Sequence, residues 1–221
     1  MTRYVIMANG RGMRWGGHLG IPKHLITVDD ETLLQRLVRQ IADHADDPDI
    51  VISSSDPRYD TPGARRHEPV TNELEIDRFP PELITEPVCF LYGDTYYTDR
   101  AMARIVEPEH EEDSPLRFYG DERSIVAVKA REPEAMLTHI RRVRELYLAG
   151  KIASCIGWHV YHSFTGLPFE GNQIGRHFER LDGETAGFNK PDDLKAFRRN
   201  YDLLSAGAER VLDYEAGGAG S

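Results

Sequence analysis

The sequence predicts an α/β protein that is built around a parallel β-sheet. Its first roughly 55 residues read as a strand, a glycine-rich loop, a helix and a second strand, which is the order of elements in a βαβ unit. Short apolar runs and amphipathic stretches then alternate along the rest of the chain. A chain of 221 residues without an internal repeat or a long linker fits one domain. We expect this domain to span residues 1–215, followed by a flexible tail at 216–221.

The opening βαβ unit is the best-defined part of this prediction. Residues 4–8 form a short apolar run that ends at Asn9-Gly10, which is typical of a fully buried strand. After the glycine-rich loop, the acidic residues 29–31 precede apolar residues at helical spacing, and acidic side chains favour the N-terminal end of a helix. Residues 50–52 predict the second strand of the unit.

The middle of the chain continues the alternation of strands and helices. Residues 87–92 predict a third buried strand, 100–106 a helix and 124–129 a further strand. The segment 133–150 begins with a proline and ends with a glycine, and its apolar residues have helical spacing. The charge-rich run 107–113 is expected to be a solvated loop.

The last third of the chain predicts one strand and one helix. Apolar residues alternate with others over 154–164, which indicates a strand and would place His159 and His162 on opposite faces. Residues 191–204 have a proline and two acidic residues in the first turn and a regular apolar face, which indicates a helix.

The composition excludes several classes of protein. The chain carries 27 Lys and Arg residues against 37 Asp and Glu residues, a net charge of −10, whereas proteins that coat nucleic acid need clustered basic residues. Cys89 and Cys155 lie in apolar stretches typical of buried thiols, and two cysteines form no disulfide framework. No run approaches the ~20 apolar residues of a membrane span, and the first residues lack the pattern of a signal peptide. We therefore expect a cytoplasmic protein.

The glycine-rich loop NGRGMRWGGHLG carries the first candidate chemistry. Glycines spaced G-x-G between a strand and a helix let backbone N–H groups approach an anion closely. Arg11 and Arg14 lie in this loop and Lys23 follows it, so several cations accompany the glycines, as a di- or triphosphate requires. The loop lacks the P-loop pattern, and Trp15 interrupts the dinucleotide-binding pattern G-x-G-x-x-G. The alternative interpretation is a glycine-rich turn with solvated arginines.

Gly93-Asp94 forms a second candidate element, directly after a predicted buried strand. Ligands of open α/β sheets bind beyond the carboxyl ends of the strands. A carboxylate at this position is well placed to hold Mg²⁺ between itself and phosphate oxygens. The alternative is that Asp94 caps the following turn.

The segments YVIMANGRGMRWG and IPKHLITVDDETLLQRLV resemble the opening of the sugar-phosphate nucleotidylyltransferases. This superfamily includes nucleotide-sugar pyrophosphorylases, phosphocholine cytidylyltransferase-like enzymes and molybdenum-cofactor guanylyltransferases. Its members open with a strand, the motif (A)-A-G-x-G-x-R and the motif P-K-x-L. Asn9 departs from the alanine or glycine that is usual at its position. The matching residues are Ala8, Gly10, Gly12, Arg14, Pro22, Lys23 and Leu25.

Further segments resemble later motifs of the same family. FLYGDTYYTD resembles the metal-binding Gly-Asp element, and GFNKPDDLKAF resembles a late element whose Asn or Asp, here Asn189, supplies a second metal ligand. VTNELEID, which contains Asn72, resembles more weakly the family's stretch that faces the nucleobase. CIGWHVY resembles more weakly the strand beneath the acceptor, which makes Gly157 and Trp158 candidate acceptor-binding residues.

The resemblance implies a fold and a reaction. The fold is a single-domain, three-layer α/β/α structure with a mixed, mostly parallel central sheet, of the nucleotide-diphospho-sugar transferase type. The reaction transfers a nucleoside monophosphate from an NTP to a sugar phosphate or an amino-alcohol phosphate, releases pyrophosphate and uses Mg²⁺. Arg14 would hold the β- and γ-phosphates and Lys23 the α-phosphate. Asp94 and Asn189 would hold the metal. The implied nucleotide-binding residues are Ala8, Asn9, Gly10, Arg11, Gly12, Met13, Asn72 and Gly93.

Two other functions stay open. A glycosyltransferase of the same fold would bind a nucleotide-diphospho-sugar, but it would not need Arg14 and Lys23 as a triphosphate clamp. A non-catalytic nucleotide-binding protein is the other alternative. The basic residues Arg141, Arg142 and Arg144 are interpreted as a solvated helix face or as a contact for an anionic acceptor. The expected partners are an NTP and a small phosphorylated acceptor, and a homodimer is compatible with the sequence; the nucleobase is not identified.

Overall fold

The structure, a computed structural model, describes residues 2–10, 12–108 and 114–205. The sequence predictions that fall outside these ranges concern Arg11, residues 109–113 and the tail at 216–221. Within the described ranges the strands are β1 (Arg3–Met7), β2 (Thr27–Val28), β3 (Glu31–Thr32), β4 (Asp49–Ser53), β5 (Arg65–His67), β6 (Val88–Tyr92), β7 (Thr95–Tyr97), β8 (Leu116–Gly120), β9 (Ile125–Ala130), β10 (Phe178–Arg180) and β11 (Thr185–Gly187). The α-helices are α1 (Leu33–His44), α2 (Asp99–Val106), α3 (Pro133–Leu148), α4 (Gly157–Thr165) and α5 (Pro191–Ser205).

Seven of the strands in the described residues form one sheet, in the spatial order β10-β8-β9-β6-β1-β4-β5. β1 is parallel to β4 and β6, β4 is parallel to β5, and β8 is parallel to β10. β9 is antiparallel to both β6 and β8. Because α1 connects the parallel strands β1 and β4, the predicted βαβ unit is confirmed. The sheet is mixed and mostly parallel.

Helices cover both faces of this sheet because successive strand side chains point to opposite faces. In β1, Ile6 belongs to an apolar cluster that contains Leu37 of α1 and residues of α2. Its neighbour Val5 belongs to a second cluster that contains Ile140 of α3 and Val160 of α4. The fold is therefore a three-layer α/β/α domain.

Two of the three acidic residues before α1 lie in a turn and the third, Glu31, lies in β3, so the acids are not at the helix N-terminus as predicted. Asp29 and Asp30 have φ angles of 51° and 64° and connect the antiparallel strands β2 and β3. The helix begins after Thr32, whose side-chain oxygen accepts a hydrogen bond from the N–H of Gln35 at 3.2 Å. The Gln35 side chain accepts one from the N–H of Thr32 at 2.9 Å. This reciprocal capping box satisfies the helix N-terminus without the acids.

The largest difference from the sequence prediction is at residues 154–164, where the structure has helix α4 instead of a strand. Gly166 ends this helix in the left-handed conformation, with a φ of 73°. Residues 157–163 are all buried, so the helix has no polar face that would reveal its period, and the alternation of apolar residues is typical of a strand. His159 and His162 are consequently both buried and lie one turn apart.

Strands β5, β8 and β10 are not indicated by the sequence pattern. β5 and β10 each consist of three residues, contain charged side chains and are only partly buried. β8 is better buried, but Arg117 interrupts its apolar run. The outer strands of the sheet therefore had too weak a pattern to be predicted.

Pairing of β7 with β11 brings the late part of the chain next to the end of β6. The two strands are antiparallel, with Gly187 opposite Thr95. Helix α5 follows, and the ring of its Phe197 lies 5.0 Å from that of Tyr96 and 5.1 Å from that of Phe188. The residues that follow β6 and those that precede α5 therefore meet.

Two further features are the burial of the two cysteines and the apolar character of the helices. Cys89 and Cys155 are free thiols and both are buried, as predicted. Among the described residues, no helix combines the length and the apolar character that crossing a membrane would take.

Candidate functional site

A cavity of about 490 Å³ lies where β1 ends and the chain after β6 begins. Two sets of residues line it. The strand-end side consists of Asn9, Gly10, Gly12, Met13, Arg14, Lys23 and Asn189. Asp94 is not among the described lining residues, and we include it with this side because it pairs with Lys23. The turn side consists of Asn72, Glu73, Leu74, Glu75 and Arg78.

The glycine-rich loop forms the strand-end side through a tight local turn. Gly12 has a φ of 58°, in the region that favours glycine, and its carbonyl accepts hydrogen bonds from the N–H groups of Trp15 and Gly16. The buried indole of Trp15 donates to the carbonyl of Ile21 at 2.8 Å. The buried side chain of Trp15 therefore holds the loop against the core, and the loop backbone remains at the cavity.

Asn9, the residue that departs from the family pattern, connects three segments of the chain. Its Oδ1 accepts hydrogen bonds from the N–H and the hydroxyl of Ser55 at 3.2 and 3.3 Å. Its backbone carbonyl accepts one from the Asn72 side-chain amide at 3.1 Å. Asn9 thus joins the glycine-rich loop to the segment after β4 and to the turn side.

Gly93 lets the chain pass close to β1. A Cβ at this position would lie 3.0 Å from the carbonyl oxygen of Met7 and 3.1 Å from Ile6, closer than side chains normally approach. The N–H of Gly93 donates to the same Met7 carbonyl at 3.0 Å. This close approach places Asp94 directly beside the end of β1.

Lys23 and Asp94 form a buried ion pair, with residue exposures of only 8% and 9%. Lys23 begins a 3₁₀ turn that follows Pro22, so the P-K-x-L segment delivers its ammonium group to the end of β6. Burial alone would raise the pKa of Asp94, but the positive charges of Lys23 and Arg78 and the hydrogen bond from Lys23 hold that pKa below its usual value. A charged pair in such a dry position is costly to fold and marks a candidate site.

His24 is a buried neighbour of this pair that the sequence interpretation missed. Its Nδ1 lies 3.0 Å from the hydroxyl of Tyr59, and only 3% of the residue is exposed. Burial lowers the pKa of His24 to about 4; the charges of Lys23 and Arg78 lower it further, while Asp94 raises it. The imidazole is therefore neutral at pH 7. The only sequence signal for it is its place directly after Lys23.

Arg14 and Asn189 meet at the edge of the cavity. Nη2 of Arg14 donates to Oδ1 of Asn189 at 3.2 Å. Asn189 is held near Asp94 because the N–H of Phe188 donates to the Asp94 carbonyl at 2.8 Å. The structure therefore brings together residues 14, 23, 94 and 189, which are far apart in the sequence.

The start of α5 is capped by the second of its two acidic residues. Oδ2 of Asp193 accepts hydrogen bonds from the N–H groups of Asn189 and Lys190, both at 2.9 Å. The side chain of Asp192 instead pairs with Lys195 at 3.0 Å. The cap fixes the backbone of Asn189 and leaves its side chain at the cavity.

Arg78 is a further cation of the site that the sequence interpretation missed. Its Nη1 lies 3.2 Å from Oε1 of Glu75. Its Nη2 lies 3.6 Å from the position that a Cβ on Gly10 would take, so the guanidinium faces the glycine-rich loop. The only signal for Arg78 is its position directly after the weakly matching segment VTNELEID.

Gly157 and Trp158, the predicted acceptor-binding residues, are not among the described residues that line this cavity. Gly157 begins α4 against Tyr92, and a Cβ there would lie 2.9 Å from the tyrosine oxygen. Trp158 is buried and stacks on Phe178 with ring centres 5.6 Å apart. Their role in acceptor binding stays a prediction.

A second cavity of about 360 Å³ adjoins the first. The two share Gly10, Gly12 and Lys23, and the second is also lined by Arg58 and Tyr59. An extended ligand at Lys23 therefore has room on both sides. In the described part of the chain, no three His, Cys, Asp or Glu side chains cluster closely enough to hold a metal ion by themselves.

Comparison with known proteins supports the fold. No protein-family model and no curated protein sequence matches the chain. CTP:phosphocholine cytidylyltransferase from Streptococcus pneumoniae superimposes with a TM-score of 0.59 at 11% identity, over 92% of this chain and 99% of that chain. A protein assigned as a glucose-1-phosphate thymidylyltransferase from Bacillus anthracis gives 0.62 at 11% identity, over 92% and 95%. The inositol-1-phosphate CTP transferase from T. maritima gives 0.54 at 14% identity, over 94% and 96%. The chain has a nucleotidyltransferase-like fold.

Proposed function

We propose that this protein is a nucleotidyltransferase that moves a nucleoside monophosphate from an NTP to a phosphorylated acceptor. One observation carries the proposal: the glycine-rich loop, the Lys23–Asp94 pair and the Arg14–Asn189 contact all meet at one cavity. These groups come from distant parts of the chain. Backbone N–H groups and cations in one place are what binding a polyphosphate requires.

The proposed reaction needs position and charge more than it needs a base. A phosphate oxygen of the acceptor attacks the α-phosphorus of the NTP, and the bond from that phosphorus to the bridging oxygen breaks. Pyrophosphate leaves with the bonding electrons. An acceptor phosphate is already a nucleophile at neutral pH, so no group has to remove a proton. Catalysis then rests on alignment and on charge stabilisation.

We assign the two cations of the strand-end side to different phosphates. Lys23, buried beside Asp94, is placed to stabilise the charge that develops on the α-phosphate. Arg14, at the edge of the cavity, is placed to hold the departing β- and γ-phosphates. A glycosyltransferase, whose donor has no triphosphate, would have less use for this second cation.

The oxygen atoms at this position fit Mg²⁺. Oδ2 of Asp94 and Oδ1 of Asn189 each accept a hydrogen bond from a cation, Lys23 and Arg14. Mg²⁺ in phosphate-transfer sites typically takes one or two such protein oxygens and completes its shell with phosphates and water. Asp94 and Asn189 would hold the ion, which neutralises charge on the bound phosphates.

A thermal-shift panel of the four NTPs with Mg²⁺ tests the proposal. Ligand that binds the native state at 100 times its Kd stabilises it by about 2.7 kcal/mol, which raises the Tm of a chain this long by several degrees. We expect such a rise with at least one NTP, and a smaller rise when EDTA replaces Mg²⁺. Shifts with nucleotide-diphospho-sugars alone would favour the glycosyltransferase, and no shift with any nucleotide would contradict the proposal.

A further inference from the structure

One buried carboxylate, that of Asp77, holds the backbone of the turn side of the cavity. Asp77 is only 5% exposed. Its Oδ2 accepts hydrogen bonds from the N–H groups of Glu73 and Leu74, both at 2.9 Å. Its Oδ1 pairs with Nη1 of Arg144. One carboxylate oxygen therefore fixes the backbone of the turn, and the other pairs with the guanidinium of Arg144.

Arg144 belongs to α3, which contacts this turn, and no residue of α3 is among the described residues that line the cavity. The sequence predicted it as part of a solvated basic helix face. In the structure it departs from that face and reaches Asp77, 67 positions earlier in the chain. A buried carboxylate that loses its charged partner is strongly destabilised, so the position of Asp77 depends on Arg144.

The position of Asp77 in turn sets the lining of the cavity. Glu73 and Leu74, whose N–H groups it holds, both line the cavity. Next to them, the side-chain amide of Asn72 donates to the carbonyl of Asn9 in the glycine-rich loop at 3.1 Å. A continuous series of contacts thus leads from α3, through Asp77 and the turn, to the strand-end side.

We propose that Arg144 is a positioning residue for the nucleotide: through Asp77 it holds the turn side at the distance from the glycine-rich loop that a bound nucleotide needs. This inference rests on the proposed function. Arg144 is not itself among the described residues that line the cavity. Its loss loosens one wall and leaves Lys23 and Asp94 in place, so it weakens binding more than it slows the chemical step.

The test compares Arg144→Gln with Arg141→Gln in the full chain. Arg141 lies on the same helix, pairs with the exposed Glu134 at 3.2 Å and is a matched control. The probes are the four NTPs with Mg²⁺, measured by calorimetry, and hydrogen exchange of the Glu73 and Leu74 amides without nucleotide. For Arg144→Gln we expect about tenfold weaker NTP binding, faster exchange of both amides and, in a turnover assay, a raised KM with kcat within about threefold. Arg144→Lys should recover part of the affinity, and Arg141→Gln should match the wild type.

Two results would overturn the inference. A folded Arg144→Gln protein with unchanged NTP affinity, even with a lower Tm, would overturn the inference, because Arg144 would then be merely structural. Equal loss of affinity in Arg141→Gln would also overturn it. If the wild type binds no NTP, the proposed function fails separately. In that case the role of Arg144 toward a nucleotide fails as well, and the exchange measurement decides only whether Arg144 holds the turn: unchanged exchange of the two amides in Arg144→Gln would show that it does not, and faster exchange would show that it does.

Discussion

The two sides of the cavity are built in different ways. The strand-end side lies where β1 and β6 end side by side, in a parallel register that places Met7 opposite Tyr92. The glycine-rich loop and Asp94 continue directly from these two strands, so the central sheet fixes their separation. The turn side has no strand at all, and its shape depends on Asp77 and the partner of Asp77 on α3.

This difference in construction indicates that the two sides of the cavity have different roles. Charge stabilisation in a transition state requires groups whose positions do not move during the reaction, and a buried sheet supplies such positions. A turn that is held by side-chain contacts of Asp77 and Asn72, and not by strand pairing, can differ in shape without disturbing the sheet. We infer that the strand-end side carries the chemistry and the turn side adapts the cavity to its ligand.

The largest effect should come from breaking the strand-end side. Lys23→Ala and Asp94→Ala should each reduce turnover by about 10²- to 10³-fold. The first variant removes the positive charge proposed to stabilise the α-phosphate, and the second removes the carboxylate proposed to hold Mg²⁺. Initial rates of pyrophosphate release measure the effect. Lys195→Ala, which removes an exposed lysine paired with Asp192, should leave the rate unchanged.

Folding must be separated from catalysis in this experiment, because either single variant leaves a buried charge without its partner. A double variant, Lys23→Met with Asp94→Leu, replaces the pair by apolar groups and should recover stability without recovering turnover. Circular dichroism monitors the fold. Full turnover in folded single variants would contradict the assignment of this side to the chemistry.

A second prediction uses pH to test how dry the strand-end side is. The pKa of His24 is about 4 in the folded protein, below the usual 6.5, because burial disfavours the imidazolium. The unfolded chain therefore takes up a proton first as the pH falls, and stability is lost from about pH 6.5 downward. Between pH 7 and pH 5 the loss is about 2 kcal/mol from this group.

Comparison with His24→Gln isolates this contribution, because the glutamine does not titrate and can still bond to Tyr59. The remaining histidines are the same in both proteins, so their effects cancel in the difference. Charges that face His24 come from Asp94, Lys23, Arg78 and Asp56. Urea unfolding at pH 5, 6 and 7 should show that the free energy of unfolding falls more steeply with decreasing pH for the wild type than for His24→Gln. Equal slopes would mean that water reaches His24 and that burial does not lower its pKa.

The strand-end side was also the more predictable of the two. Its residues follow apolar runs with a clear strand pattern, and glycines, Arg14, Lys23 and Asp94 stand in recognisable order. The sheet then brings them together as the sequence indicates, since the carboxyl ends of parallel strands meet at one edge. Local patterns suffice where the geometry follows from strands that pair in parallel.

Apart from Asn72, which the weak resemblance of VTNELEID indicated, the turn side could not be predicted because its geometry comes from contacts between distant residues. Asp77 and Arg144 are 67 positions apart, and nothing local distinguishes Arg144 from Arg141 on the same helix. Arg78 reaches the cavity only because the turn folds back beside Gly10. Helix α4 was misread for a related reason: residues buried on all sides lose the polar face on which prediction depends.

A third, smaller effect tests which phosphates of the nucleotide Arg14 contacts. Arg14→Gln should weaken NTP binding about tenfold if Arg14 holds the β- and γ-phosphates, because a charge-assisted contact is lost. Binding of the corresponding NMP should not change, since it lacks those phosphates. Calorimetry of both nucleotides on both proteins measures this. An equal loss for NTP and NMP would place Arg14 at the nucleoside or the α-phosphate instead.

The smallest predicted effect concerns Asn9, which connects the two sides. Asn9→Ala removes the acceptor that holds the N–H and the hydroxyl of Ser55, and we expect a loss of about 1 kcal/mol in the free energy of unfolding. Asn9→Asp retains this acceptor and should lose less. The hydrogen bond from Asn72 goes to the backbone of residue 9 and persists in both variants. If urea unfolding shows equal stability for all three proteins, the Ser55 contact does not fix the loop, and the backbone bond to Asn72 alone joins the two sides.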